Sequence, residues 1–340
     1  MRLFFHNFAV VLVLIIASYA GAQQQPPAKG PSAVVSPKPA VAATVNGQPI
    51  MESAVQRGLK LVPEDQHDQA RPGILQFLID NILLDQYLAQ HGVTVDQKDV
   101  DAKRKLLEDD AKKSDHTYEQ LLKALKITDA ELRANIEAQL RWDKYTGEQA
   151  KDESLRKLFD AEREMFDGTL VRARHILLTP DDDPKAVEKA KGDLALYKKQ
   201  IEEQADKEGA KLPAQTDAQA RDAARVKAVE EAFSDFARKY SACSSKEQGG
   251  DVDWFPRGGH MVESFAKAAF ALKPHEMSDV VRSPFGYHLI LVTDRKAGTE
   301  TKFEDVKAEV KEVYCARLRE SICAKMRPSA KITINNPSNP

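Results

Sequence analysis

The 340-residue sequence predicts an α+β fold: a helical region made of N-terminal helices plus a C-terminal helix, with a strand-and-turn domain inserted between them. Three observations predict it. From about Glu52 to Asp167 apolar residues recur at helical spacing. From Leu170 short apolar runs bounded by Gly and Pro take over. After Gly298 the helical spacing returns, with Phe303, Val306, Val310 and Val313 three to four apart. Neither helical flank has enough apolar surface to form a core alone, so the two are expected to pack together.

The elements follow in order. Arg2, the apolar run "FAVVLVLIIASYA" and the small-residue site Ala20-Gly21-Ala22 predict a signal peptide over 1–22. Phe8 to Ala17 is short against the roughly 20 residues a membrane span needs, although an uncleaved anchor is the alternative. No cysteine stands near the site for lipid attachment, and no later segment reads as a span. The mature chain is therefore expected to be exported, to the periplasm, with no stable membrane span. Residues 23–40 read as a Pro-rich linker. "VAATVNGQPI" predicts a strand running into an Asn46-Gly47 turn and opens the helical region 41–168. Within it, Thr117-x-x-Gln120 and Thr128-x-x-Glu131 are capping boxes that start helices. "GILQFLIDNILLDQYLAQHG" is apolar on more than one face and ends at Gly92. Such a helix is either wrapped by its neighbours or leaves a surface for a client. Residues 185–240 form a helix-rich insertion whose middle, low in apolar content, reads as a solvated loop or a helix extension. Residues 299–340 supply a C-terminal helix and a short strand.

Composition narrows the function classes. Hydrophobic residues are 42% and charged residues 30%, enough for a real core, and a formal net charge of −2 gives no reason to expect a nucleic-acid partner. The three cysteines, Cys243, Cys315 and Cys323, are an odd number. Cys315 and Cys323 stand eight apart on one predicted helix, about 12 Å along its axis, too far for a disulfide. No short ligand spacing supports a metal site, and no cofactor is expected.

The chemistry gathers on two histidines inside apolar strands: His175 in "RARHILLT" and His288 in "FGYHLILV". Strand alternation puts His175 on one face with Ala173 and Leu177, and His288 with Ile290 and Val292. Between them stand "YSACSS" with Cys243, "GGDVDWFPRG" with Val252 and Phe255, and "MVESFAKAAF" with Met261 and Phe265. Taken together, "RHILL", these three motifs and "FGYHLI" resemble the parvulin family of peptidyl-prolyl isomerases over residues 170–298. The flanks are similar, more loosely, to the chaperone portion of exported foldases of the SurA and PrsA type. The resemblance implies a four-stranded antiparallel sheet packed by helices, with the first and last strands at its centre and the histidines side by side. It implies His175, Cys243 and His288 as catalytic residues, Cys243 facing the carbonyl of the twisting bond. Val252, Phe255, Met261 and Phe265 are then the substrate-binding residues. Unfolded or nascent exported polypeptides are the implied partners. Paired histidines that only hold the shape of the site are the competing role, and a non-catalytic holdase is the competing function. Two features depart from the family pattern: Ala242 stands where some relatives have an acid, and "RGGHM" has one residue more than "RGQM". Asp181, Asp182 and Asp183 occupy the loop where parvulins that select phosphorylated substrates carry cations.

Overall fold

The computed structural model describes residues 40–335; the expected signal peptide and all but the last residue of the Pro-rich linker lie outside the described residues. Two compact units are present. One runs to Leu155 and resumes at Lys311, and the other is Arg156–Val310. Among the described residues there are ten α-helices, and none is long and apolar enough to cross a membrane.

The first unit opens on a hairpin. β1 (Val41–Val45) and β2 (Gln48–Met51) pair antiparallel around Asn46-Gly47. Both turn residues have positive φ, 52° and 84°, the geometry that Asn-Gly favours in a two-residue hairpin turn. β7 (Ile332–Ile334) adds to the other edge of β1, so the sheet order is β2-β1-β7, a small sheet that periodicity does not disclose. α1 (Glu52–Leu59) and α2 (His67–Gln90) cover it, burying Val55 and Leu59 with Leu75, Leu78, Ile79, Ile82 and Leu83. Farther along, α2 turns Leu84 and Leu88 toward Ile322 and Cys323 of α10 (Phe303–Met326). The multi-faced α2 is thus a wrapped central helix. Arg319 ties α10 to Asn81, and its guanidinium lies 5.3 Å from the Phe77 ring centroid. Arg327 adds an ion pair to Asp80. α3 (Gln97–Lys113), α4 (Tyr118–Leu125) and α5 (Asp129–Gln149) form a satellite core of Val100, Ile127, Leu132 and Ile136. The capping boxes at Thr117 and Thr128 are closed: Gln120 N–H donates to Thr117 Oγ1 and Glu131 N–H to Thr128 Oγ1, each at 3.1 Å.

The burial of Ile322 makes the role of α10 measurable. At 4% exposure, truncation to alanine removes side-chain area and leaves a cavity, a loss of about 2–5 kcal/mol. Ile322→Ala is expected to lower the denaturation midpoint of the first unit, followed by Trp142 fluorescence, while the second unit keeps its own. Equal midpoints for mutant and wild type would contradict this packing.

The second unit is built on a four-stranded antiparallel sheet of order β4-β3-β6-β5. β3 (Leu170–Leu178) and β6 (Gly286–Lys296) are central, β4 (Asp251–Pro256) and β5 (Val281–Ser283) lie at the edges, and α6 (Asp152–Ala161) leads in. Alternation decides the layers. Ile176, Leu289 and Leu291 face α7 (Pro184–Ala210) and α8 (Ala218–Tyr240), meeting Leu194, Ile201, Val229 and Phe233. Val171, Ala173, Ile290 and Val292 face α9 (Glu263–Phe270). The polar stretch within 185–240 extends both helices, which leaves a short turn between Ala210 and Ala218. Asp183 accepts a hydrogen bond from Ala186 N–H and Asp217 one from Ala220 N–H, so each helix starts at an aspartate cap.

Candidate active site

His175 and His288 come from neighbouring central strands and lie on the α9 face of the sheet, because 175 and 288 share alternation with Ala173 and with Ile290. Their Nδ1 atoms are 3.1 Å apart, and the rings lie side by side and nearly parallel, with centroids at 5.3 Å and an 18° interplanar angle. Each outer nitrogen meets a hydroxyl: His175 Nε2 with Ser245 Oγ at 3.1 Å, His288 Nε2 with Ser283 Oγ at 2.7 Å. Ser283 Oγ also accepts Phe285 N–H at 3.0 Å.

A Nδ1–Nδ1 hydrogen bond between neutral imidazoles requires opposite tautomers, one ring donating and the other accepting. The chain Ser245–His175–His288–Ser283 then satisfies every ring nitrogen in either direction of donation. Both histidines are buried, at 6% and 3% exposure. Burial pushes His175 down to about 4, helped by His288 beside it, and burial pushes His288 down to about 4 as well. At neutral pH the pair is uncharged.

Phe265 joins this pair to the apolar side of the site. Its ring stands edge-on to both imidazoles, with centroid separations of 5.5 Å to His175 and 5.4 Å to His288 and interplanar angles of 86° and 77°. Met261 and Val252, both half-buried, pack against the same group of side chains. Phe255 is 1% exposed, and its ring centroid lies 5.9 Å from that of Phe265. Phe270, five residues along α9, contacts Phe255 at 6.1 Å and belongs to that buried layer.

Cys243 is half-buried in the loop between α8 and β4. Ser241 Oγ accepts both Leu177 N–H at 3.1 Å and Cys243 N–H at 3.3 Å, and Ala242 N–H donates to Leu177 O at 2.8 Å. These bonds fix the loop along β3 and set Cys243 two residues before Ser245, the serine bonded to His175. The loop closes at Gly250, where φ is +79° and any Cβ would stand 2.4 Å from His175 O and collide with the strand. The structure therefore brings His175, His288, Phe265, Met261 and Val252 together, with Cys243 on the adjoining loop. Nothing in the sequence alone marks Ser245 and Ser283 as partners of the histidines. Their nearest signals are the hydroxyl-rich "YSACSS" and a serine two residues before the Phe-Gly of "RSPFGYH". Cys315 and Cys323 lie in the first unit; burial pushes the Cys323 thiol up to about 11, and its Sγ donates to Asp80 O at 3.5 Å. Among the described residues no group of three or more His, Cys, Asp or Glu side chains is arranged to hold a metal ion.

Residues 154–296 match the PPIC-type PPIase domain family, and residues 6–146 match the SurA-like N-terminal domain family. The chain is thus similar to both families, a PPIC-type PPIase domain preceded by a SurA-like N-terminal domain. The foldase protein PrsA of Bacillus subtilis is 46% identical over 81 residues, 24% of this chain and 26% of that protein. The chaperone SurA of Bordetella avium is 48% identical over 64 residues, 19% of this chain and 12% of that protein. These alignments span about a quarter or less of the relatives' own length. A longer one, at 28% identity over 295 residues, links the chain to the foldase protein PrsA of Caldanaerobacter subterraneus, with 79% of this chain and 78% of that protein covered. The parvulin sheet order, with its first and last strands at the centre, is the one observed.

Proposed function

We propose that this protein is an exported peptidyl-prolyl cis-trans isomerase with an attached chaperone part, acting on unfolded or newly translocated polypeptides in the periplasm. Residues 170–298 are assigned as the isomerase domain, and 41–168 with 299–340 as the chaperone part. The observation that carries the reading is the neutral, hydrogen-bonded histidine pair with Phe265 edge-on to both rings. Relatives named as foldases and chaperones add weight.

The reaction makes and breaks no covalent bond. Rotation about a peptide bond meets a barrier of about 18–20 kcal/mol because it interrupts amide resonance. A twisted amide has a more pyramidal nitrogen and a carbonyl freed from the nitrogen lone pair. The catalyst therefore needs an apolar seat for the proline ring and a dry, polar surface for the carbonyl. Met261, Phe265 and Val252 supply the seat, with Phe255 behind them. His175 and His288, neutral and mutually satisfied, present a rigid surface that does not compete for a counter-ion. Cys243 faces the carbonyl as it turns and stabilises it electrostatically, without forming a bond to it.

A proline-isomerisation assay beside an aggregation-suppression assay, both on the full chain, tests the function. Turnover together with suppression is expected, and suppression without turnover would leave a holdase. Cys243→Asp is expected to retain much of the activity, since a carboxylate can act electrostatically, and Cys243→Ala to lose at least about tenfold in kcat/KM. If Cys243→Asp and Cys243→Ala are equally inactive while Cys243→Ser turns over, the electrostatic role is wrong.

A further inference from the structure

α9 carries Phe265, and an arginine holds each of its ends. At the start, Arg257 is 6% exposed and donates from Nη1 and Nη2 to the two carboxylate oxygens of Glu263, at 2.8 and 2.7 Å. The same Nη2 donates to Glu162 at 3.3 Å. At the end, Arg295 of β6 donates from Nη1 to Phe270 O at 3.1 Å and Leu272 O at 3.2 Å, a cation on the carbonyl end of the helix. Its guanidinium lies 5.4 Å from the Phe270 ring centroid, and Nη2 pairs with Glu164.

Glu162 and Glu164 stand on either side of Arg163, in and beside the 3₁₀ turn Arg163–Met165 that leads the chain toward β3. Two carboxylates two residues apart thus reach arginines at opposite ends of a helix about 12 Å long. A cavity of about 450 Å³ is lined by this lead-in on one side and by Lys267, Phe270 and Ala271 on the other. The lead-in is therefore not packed flush along α9, and the ion pairs at the ends bridge the gap. A buried guanidinium is costly unless it is paired, so the position of Arg257 is tied to both Glu162 and Glu263.

We infer that Glu162 and Glu164 are positioning residues for the proline seat. Acting through Arg257 and Arg295, they fix α9 over the sheet and with it the contact of Phe265 with His175 and His288. The inference rests on the isomerase reading above. It concerns how tightly the seat is held, so its signature is in substrate binding rather than in the turnover of bound substrate.

The test uses the full chain carrying Glu162→Gln and Glu164→Gln together. With an unphosphorylated Leu-Pro peptide, KM is expected to rise about fivefold while kcat stays within about twofold. Amide hydrogen exchange in α9 should quicken about tenfold or more, with β3 and β6 unchanged. Asp160→Asn, which removes a nearby carboxylate paired to Arg163 at 2.8 Å, should alter neither. Unchanged exchange in α9, equal quickening across β3 and β6, or a fall in kcat at constant KM overturns the inference. If the wild-type chain shows no turnover, the isomerase reading fails on its own, and the exchange measurement still decides whether the glutamates hold α9.

Discussion

Phe265→Ala is expected to cut kcat/KM for a Xaa-Pro peptide by about a hundredfold, equivalent to about 3 kcal/mol of transition-state stabilisation. The ring is 3% exposed and serves two surfaces at once. It stands near-perpendicular to both imidazoles, and in the function proposed above its remaining surface is the wall of the proline seat. Alanine removes the wall and also uncovers the histidine pair to water, so the site loses its seat and its dryness together. A buried Phe→Ala replacement also costs about 3–5 kcal/mol of stability, enough to threaten the second unit. Phe265→Leu separates the two effects, since it keeps an apolar wall but loses the aromatic edge. It is expected to fold and to lose about tenfold in kcat/KM. Aggregation suppression by the full chain is expected to survive Phe265→Leu. If Phe265→Leu is folded and fully active, Phe265 is not the wall of the proline seat.

What the sequence discloses and what it hides divides along physical lines. Lone histidines in apolar strands are visible because burial of a polar ring is anomalous, and strand alternation then gives the face each one occupies. The capping boxes at Thr117 and Thr128 are visible because their chemistry is local, donor and acceptor three residues apart. Ser245 and Ser283 are not visible in the same way. A serine hydroxyl is ordinary at a loop or strand end, and only the fold brings it within 3.1 or 2.7 Å of an imidazole. The three-stranded sheet escapes for a related reason: β7 has three residues, and its pairing with β1 joins segments almost three hundred positions apart. Least legible of all are the pairings of Arg257 and Arg295 with the lead-in glutamates. A charge in a helical text predicts a solvated face, and nothing in its spacing says which arginine will close over it.

The second large effect is on pH. His175 and His288 both sit near 4 in the folded protein, against an ordinary value of 6.5, chiefly because burial penalises the imidazolium. In an unfolded chain both would take up protons as pH falls through 6.5, while in the folded chain neither does until about 4. Between those values the unfolded state binds about two more protons than the folded one. The contribution of the pair to stability is therefore complete above pH 6.5 and drains as pH falls toward 4, by about 3 kcal/mol per pH unit where the difference is fullest. Activity should follow a different curve. The neutral pair is intact across this window, so kcat/KM is expected to stay flat from pH 8 to about 5 in any chain that remains folded, and to fall near 4 as the first proton enters. Once one ring is charged, a second charge 3.1 Å away is strongly opposed, so the pair should titrate as a unit with its second step lower still. The direct measurement is the pH dependence of the ring carbon-bound proton resonances of the two histidines, alongside unfolding midpoints at pH 7, 6 and 5. Two rings silent from pH 8 to 5, with midpoints that drop, would fit a pair kept neutral by burial. A ring that titrates near 6.5 would mean that the site is open to water, and a mechanism built on a dry, uncharged surface would fall with it.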